Sequence, residues 1–328
     1  MTRRGVEDPT EGTSRPELRA RARRRVLVTR RSLARELRAL GVRPGAVLLV
    51  HASLSSLGFV CGGAVAVVQA LRDAVGARGT VVVPTHTSAV SDPAAWRHPP
   101  VPRRWWTTIR REMPAFDPRL TPAAAMGRIP ETLRRVPGAV RSSHPMCSFA
   151  AVGRRARALV ARHPLSQPFG PSSPLGRLVK LGAHVLLLGV GHESNSSLHL
   201  AEVLWGGLPS RRQGAPVLAR GRRTWRTWIE PAHDEGDFEA IGASFDATGH
   251  VRIGSVGAAQ ARLMPLRDLV AHARAWMHAH RSPHPRREAA GTGERSRRGR
   301  RAGRARVQGD LGREVRSSAR RRSPRRDA

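Results

Sequence analysis

Cysteine, lysine and tyrosine are almost missing from this chain, and each shortage narrows what it is. Two cysteines, Cys61 and Cys147, are too few and too isolated for a disulfide framework or a cysteine-based zinc site. Both read as free, small, buried thiols. Lysine occurs once, at Lys180, and tyrosine not at all, so arginine carries the formal net charge of +34. A bias that runs the whole length reads as a coding preference for arginine more than as local selection for phosphate contacts. No apolar run approaches the ~20 residues of a membrane-spanning helix. Met1 to Arg25 has no apolar signal-peptide core either. A cytoplasmic protein with no membrane partner is therefore expected.

What is present is ordinary for a globular chain: 328 residues, 40% of them hydrophobic, room for one large α/β domain or two smaller ones. The two ends differ from the rest. Met1 to Arg25 holds eight arginines and four acids, and Arg281 to Ala328 holds 17 arginines and five acids, both without hydrophobic periodicity. Neither end buries enough apolar surface to repay ordering, so residues 1–25 and 281–328 are expected to be disordered tails around a 26–280 core. No internal repeat is evident. A nucleic-acid-binding module is the class that the charge suggests. The core lacks the basic helix or aromatic array of such a fold, and no nucleic-acid partner is expected.

Within the core, Ser32 to Leu40 predicts a helix capped by Ser32, with Leu33, Leu37 and Leu40 on one face. Ala46 to Val50 is a buried strand, His51 to Gly58 a small-residue turn, Ala64 to Val75 a helix, and Thr80 to Val83 a strand stopped by Pro84. Strand, loop, helix, strand is a βαβ unit and argues for parallel pairing. From Thr85 to Pro122 the pattern dissolves into prolines, tryptophans and arginines, as lids and binding loops do. Further on, Met126 to Val136, Arg154 to Ala161, Leu175 to Leu181 and Leu266 to Ala279 read as helices. Ser148 to Val152, His184 to Val190, Thr224 to Ile229 and His250 to Ile253 read as strands.

Chemistry concentrates after the strand that ends near Val190. Gly189 and Gly191 turn the chain, then Glu193, Asn195, Ser196 and Ser197 offer caps, and His199 and Glu202 follow at i and i+3 on one helix face. Two readings stand side by side: a capped helix with solvated side chains, or an imidazole held by a carboxylate as a general base. Zinc at His192 and His199 would need a third ligand and lacks the H-E-x-x-H pattern, so no metal is expected. The loop His51 to Gly63 reads either as a tight βα turn or as a phosphate seat at a helix N-terminus. It is neither a P-loop nor a dinucleotide fingerprint. His144, before Pro145, is open between a hydrogen-bonded structural role and catalysis. Five of the chain's 24 acids, Glu230, Asp234, Glu235, Asp237 and Glu239, lie within ten residues. They make either a solvated acidic loop or a receptor for a polycation.

Six motifs occur in order: His51-Ala-Ser-Leu-Ser-Ser-Leu-Gly58, Gly62-Gly63, Phe116-Asp-Pro118, Arg141-Ser-Ser-His-Pro-Met-Cys-Ser-Phe149, Ser173-Pro-Leu-Gly176, and Gly189 to Glu202. In that order and spacing, from about Arg31 to His278, the chain resembles the aminoglycoside 3-N-acetyltransferase family. The resemblance implies an α/β fold, three-layer α/β/α around a central mixed, partly parallel sheet. It implies acetyl transfer from acetyl-CoA, as co-substrate, to the 3-amino group of a 2-deoxystreptamine aminoglycoside, without a covalent enzyme intermediate. By the same resemblance, His199 is the base, Glu202 orients it, Ser196 serves the thioester, and His144 and Glu193 line the acceptor pocket. His51, Ser53, Leu54, Ser55, Ser56, Leu57, Gly58, Gly62, Gly63, Thr85 and Ser148 are expected at acetyl-CoA together with Ser196. Glu193, Glu230, Asp234, Glu235 and Asp237 are expected at the substrate.

Overall fold

Alternation of apolar side chains along the strands builds the fold outward from its sheet. In the computed structural model, which describes residues 26–284 apart from 88, 98, 124 and 125, the strands are β1 (Leu27–Val28), β2 (Val47–Ala52), β3 (Phe59–Val60), β4 (Thr80–Pro84), β5 (Val140–Arg141), β6 (Phe149–Gly153), β7 (His184–Leu188), β8 (Ser210–Ala219), β9 (Arg222–Pro231), β10 (Arg252–Val256) and β11 (Ala259–Pro265). The helices are α1 (Arg30–Leu40), α2 (Gly63–Val75), α3 (Trp106–Glu112), α4 (Arg128–Leu133), α5 (Ala156–Val160), α6 (Pro174–Lys180), α7 (Leu198–Trp205), α8 (Phe238–Asp246) and α9 (Leu266–His280). Both expected tails lie outside the described residues, except that Arg281 to His284 are described.

Seven strands form the central sheet in the order β10-β11-β7-β2-β4-β6-β5. Its middle is parallel: β2 pairs in parallel with both β4 and β7, and the flanking pairs are antiparallel. Successive residues point to opposite faces. Leu48, Val50, Val81, Val83, Leu186 and Leu188 join a core with α1, α2 and α4, while Val47, Leu49, Val82, Val185 and Leu187 join one with α5 to α9. A period-two strand buried on both sides is what makes three layers. The carboxyl ends of β2, β4 and β7 therefore open side by side, the usual place for a site in such sheets.

Local details refine the sequence reading. The cap of α1 is Thr29, not Ser32: the Ser32 amide donates to Thr29 Oγ1 at 3.1 Å and the Thr29 amide to Ser32 Oγ at 3.0 Å, a reciprocal capping box. Met126 to Val136 yields only the short α4. Strands β8 and β11 and helix α8 were not expected from the pattern. β8 pairs with β9 in a separate two-stranded ribbon, and the Trp-rich stretch leans on it: Arg223 Nε donates to the Met113 carbonyl at 2.7 Å and the Phe116 amide to the Pro216 carbonyl at 3.0 Å. Cys61 is exposed, contrary to expectation, because the turn before α2 faces solvent. Cys147 is half-buried, and both are free thiols.

Candidate active site

Three strand ends surround a cavity of about 1200 Å³. β2 contributes His51 and Ala52, continuing into Ser53, Leu54, Ser55 and Gly58. β4 leads to His86, and β7 to Glu193, Ser194, Ser196 and His199. Gly189, at φ +72°, makes this convergence possible: a Cβ there would lie 2.5 Å from the Ser56 Cβ, so only glycine lets the β7 turn pass the β2 loop. Phe59, Gly63 and Arg128 line another part, and Glu235 and Phe238 bring in α8.

His199 and Glu202 are brought together as their spacing on α7 demands. His199 Nδ1 lies 2.7 Å from Glu202 Oε2, and the carboxylate is wholly shielded from solvent. His233 Nδ1 lies 3.0 Å from the same oxygen, while the Asp234 amide and Arg281 Nη1 donate to Oε1 at 3.0 and 2.8 Å. Burial pushes the Glu202 carboxyl up, but hydrogen bonds from His199, His233 and Arg281 outweigh it and hold it at about 2. An ionised carboxylate only accepts, so both imidazoles carry their proton on Nδ1. That leaves His199 Nε2 as a lone pair with no partner among the described residues, on a ring that lines the cavity. Phe169 stacks on the His199 ring with centroids 4.5 Å apart, and Phe238 and His233 pack at 4.9 Å, fixing its plane.

His199, Glu202 and His233 are the one trio of metal-ligand type among the described residues, their atoms within 4.8 Å of one another. Both imidazole protons and both carboxylate oxygens are already committed to one another, to Asp234 and to Arg281, so the trio is a hydrogen-bond hub. His192 turns away from it to Asp246, Nε2 to Oδ1 3.1 Å.

Several expected residues sit elsewhere. His144 is fully buried: its Nδ1 accepts from the Met146 and Cys147 amides at 3.2 and 2.9 Å, and its Nε2 lies 3.3 Å from the Leu165 carbonyl. Burial pushes it down to about 4, so it is a neutral histidine held by the backbone, and it is not among the described residues that line the cavity. Ser56 donates to the Gly189 carbonyl at 3.0 Å and Leu57 is in the core, so neither faces the cavity. Gly62 caps α2 rather than lining it. Thr85 and Ser148 are buried, their hydroxyls 3.2 Å apart and braced by Arg141. Glu230 is buried too, taken up by Arg211 at 2.8 Å and by the Trp228 indole at 2.7 Å. Asp234 accepts from the Gly236 amide and Asp237 pairs with Arg281, which leaves Glu235 and Glu193 as the acids on the cavity. Partial burial raises the Glu193 carboxyl, but backbone N–H donors, its own and that of Gly191, lead the contacts that hold it below the usual range.

His86, His233, Arg281 and Arg128 were missed. Burial, then the neighbouring His199, push His51 down to about 3; burial, then His199 and His51, do the same to His86. The sequence offered no signal for His86 beyond its place just after a strand.

Comparison with known proteins fits this geometry. The family profile described as aminoglycoside 3-N-acetyltransferase matches residues 49–278. The chain belongs to that family. An aminoglycoside N(3)-acetyltransferase VII of Streptomyces paromomycinus is 43% identical over 267 residues, 76% of this chain and 91% of that one. A prophage-derived aminoglycoside N(3')-acetyltransferase-like protein of Bacillus subtilis is 41% identical over 249 residues, 76% of this chain and 92% of its own. Among solved structures, AAC-IIIb in binary complex with CoASH superposes with a TM-score of 0.70 at 34% identity, covering 77% of this chain and 97% of that one. The family match thus covers residues 49–278 of the described core, and the mixed sheet and the flanking helix layers are those its resemblance implied.

Proposed function

We propose that this chain transfers the acetyl group of acetyl-CoA to the 3-amino group of a 2-deoxystreptamine aminoglycoside, conferring resistance, with His199 as the base. The carrying observation is the His199–Glu202 pair on the wall of a cavity that has two unlike ends. One end is lined by the small-residue loop after β2, by Gly63 at the start of the 13-residue α2, and by Arg128. Around Gly63 nothing lies within 4 Å of where a Cβ would stand, so the helix N-terminus is open to a phosphate group. That end suits the diphosphate of acetyl-CoA. At the other end exposed Glu235 is placed to meet ammonium groups, and Glu193, which already accepts from the Gly191 amide and Ser194 Oγ, adds negative charge.

An aminoglycoside amine is protonated near neutral pH, and only its free base attacks a thioester. His199 Nε2 is placed to take that proton, and Glu202 stabilises the imidazolium through Nδ1–H. As the N–C bond forms, the C–S bond breaks and the thiolate recovers a proton from His199. Ser196 lines the cavity and its hydroxyl has no partner among the described residues, so it is available to the thioester oxygen as charge develops there. His51 and His86 remain uncharged beside it, which keeps additional cations away from the reacting amine. No helix among the described residues is long and apolar enough to cross a membrane, consistent with work in the cytoplasm, where acetyl-CoA is made. The test is thiol release from acetyl-CoA with gentamicin-type and apramycin-type antibiotics. Absence of release with every aminoglycoside overturns the reading.

A further inference from the structure

Glu202 divides its oxygens between two kinds of donor. Oε2 receives the His199 and His233 imidazoles, and Oε1 receives the Asp234 amide and the Arg281 guanidinium. Arg281 lies just past the end of α9, its own amide closing the last turn on the Met277 carbonyl at 2.9 Å. Its side chain, 12% exposed, is held on the far side by Asp237, Nε to Oδ2 2.6 Å, with Nη2 on the other oxygen, and Nη2 also donates to the Asp234 carbonyl at 3.0 Å. The guanidinium also lies 5.7 Å from the Trp205 ring centroid at the end of α7. One arginine thus ties the ends of three helices to the carboxylate behind the base.

We infer that Arg281 is a positioning residue for acetyl transfer: by pinning Oε1 of Glu202 it aims Oε2 at His199, and its charge offsets the carboxylates of Glu202 and Asp237 behind the base. This rests on reading His199 as the base. Without Arg281 only the Asp234 amide remains on Oε1, so the carboxylate is held less firmly about its last bond while both imidazoles share Oε2. Without the guanidinium, two neighbouring carboxylates, Glu202 and Asp237, face the imidazoles with no permanent cation between them. Negative charge favours the imidazolium. Other groups facing this cluster do not compensate: His51 and His86 are uncharged, Glu230 is paired with Arg211, and Asp234 is exposed.

The test is the pH profile of kcat/KM for Arg281→Gln and Arg281→Lys in the full-length protein, beside His199→Ala, with thermal melts as a folding control. For Arg281→Gln the acid limb is expected to move up by about one pH unit, with kcat about tenfold lower at neutral pH and partly restored at high pH. Arg281→Lys keeps the charge but not the fork, so its limb stays put while kcat falls at least ~threefold. A folded Arg281→Gln enzyme with an unmoved limb overturns the inference. If that variant does not fold, a parental kcat in Arg281→Lys overturns it and a lowered kcat with an unmoved limb supports it. Survival of activity in His199→Ala would instead sink the underlying reading of the base.

Discussion

His199 Nδ1 and Glu202 Oε2 stand 2.7 Å apart, one helical turn separated in sequence, with the carboxylate hidden from solvent and the imidazole open to the cavity through its other nitrogen. The pair sets the tautomer of the base before any substrate binds. Glu202→Gln keeps the shape but removes the charge and can present an N–H to the ring. A fall in kcat of about 10² to 10⁴ is expected, with KM for acetyl-CoA little changed, as when a buried carboxylate behind a catalytic histidine is neutralised. Steady-state kinetics of the purified variant check this.

Glu235 is exposed, lines the cavity and makes no side-chain hydrogen bond or ion pair with the described residues. Glu235→Gln is expected to raise KM for the aminoglycoside about threefold to tenfold while leaving kcat near parental, because ground state and transition state lose the same ammonium contact. The defect should shrink as salt is added. An unchanged KM at low salt would remove Glu235 from the acceptor end.

Acid lability follows from the buried imidazoles. His51 and His86 titrate at about 3 and His144 at about 4 in the folded chain, all pushed down mainly by burial. Their folded values lie below the unfolded one, so between about pH 6.5 and 4 the unfolded chain binds protons that the native one refuses. Stability therefore falls as pH drops through that window, by up to about 1.4 kcal/mol per pH unit for each imidazole. Glu202 acts in the same direction at lower pH: its folded value of about 2 makes its contribution complete above about 4.5 and lost on acidification. Urea midpoints at pH 7.5 and 5.0 should differ clearly, and His144→Gln should flatten the dependence by about one proton. Equal midpoints in the parent contradict the account.

Residues 285–328 carry 16 of the arginines that follow the last helix, and the described residues that line the cavity all precede them in sequence. Ending the chain after His284 should leave acetyl transfer within about twofold of the parent. Ending it after His280 removes Arg281 as well and should lower kcat. If both truncations behave alike, the boundary at Arg281 has no functional meaning.

How far the sequence carried differs by element. The unit from β2 through α2 to β4 was legible because an apolar run, a glycine-rich turn and a second apolar run leave few alternatives. His199 and Glu202 were legible because a three-residue spacing on a helix fixes a shared face. β8 and β11 were not: Ser210 to Ala219 opens with exposed arginines, and Ala259 to Pro265 alternates but puts only alanine at its first two inward positions, so neither is rich in the β-branched or aromatic residues that mark a strand. His144 resembled a site residue because backbone amides, invisible in a sequence, satisfy its ring. Glu230 was hidden in the same way by Arg211 and Trp228. Arg281 was indistinguishable from the other arginines that follow it, since only the meeting of three helix ends singles it out.

The most direct test of the central claim is kcat of His199→Ala with acetyl-CoA and an accepted aminoglycoside, beside CoA binding to show that the cavity is intact. A fall of at least ~10²-fold with binding retained is expected. Activity within about threefold of the parent would contradict His199 as the base.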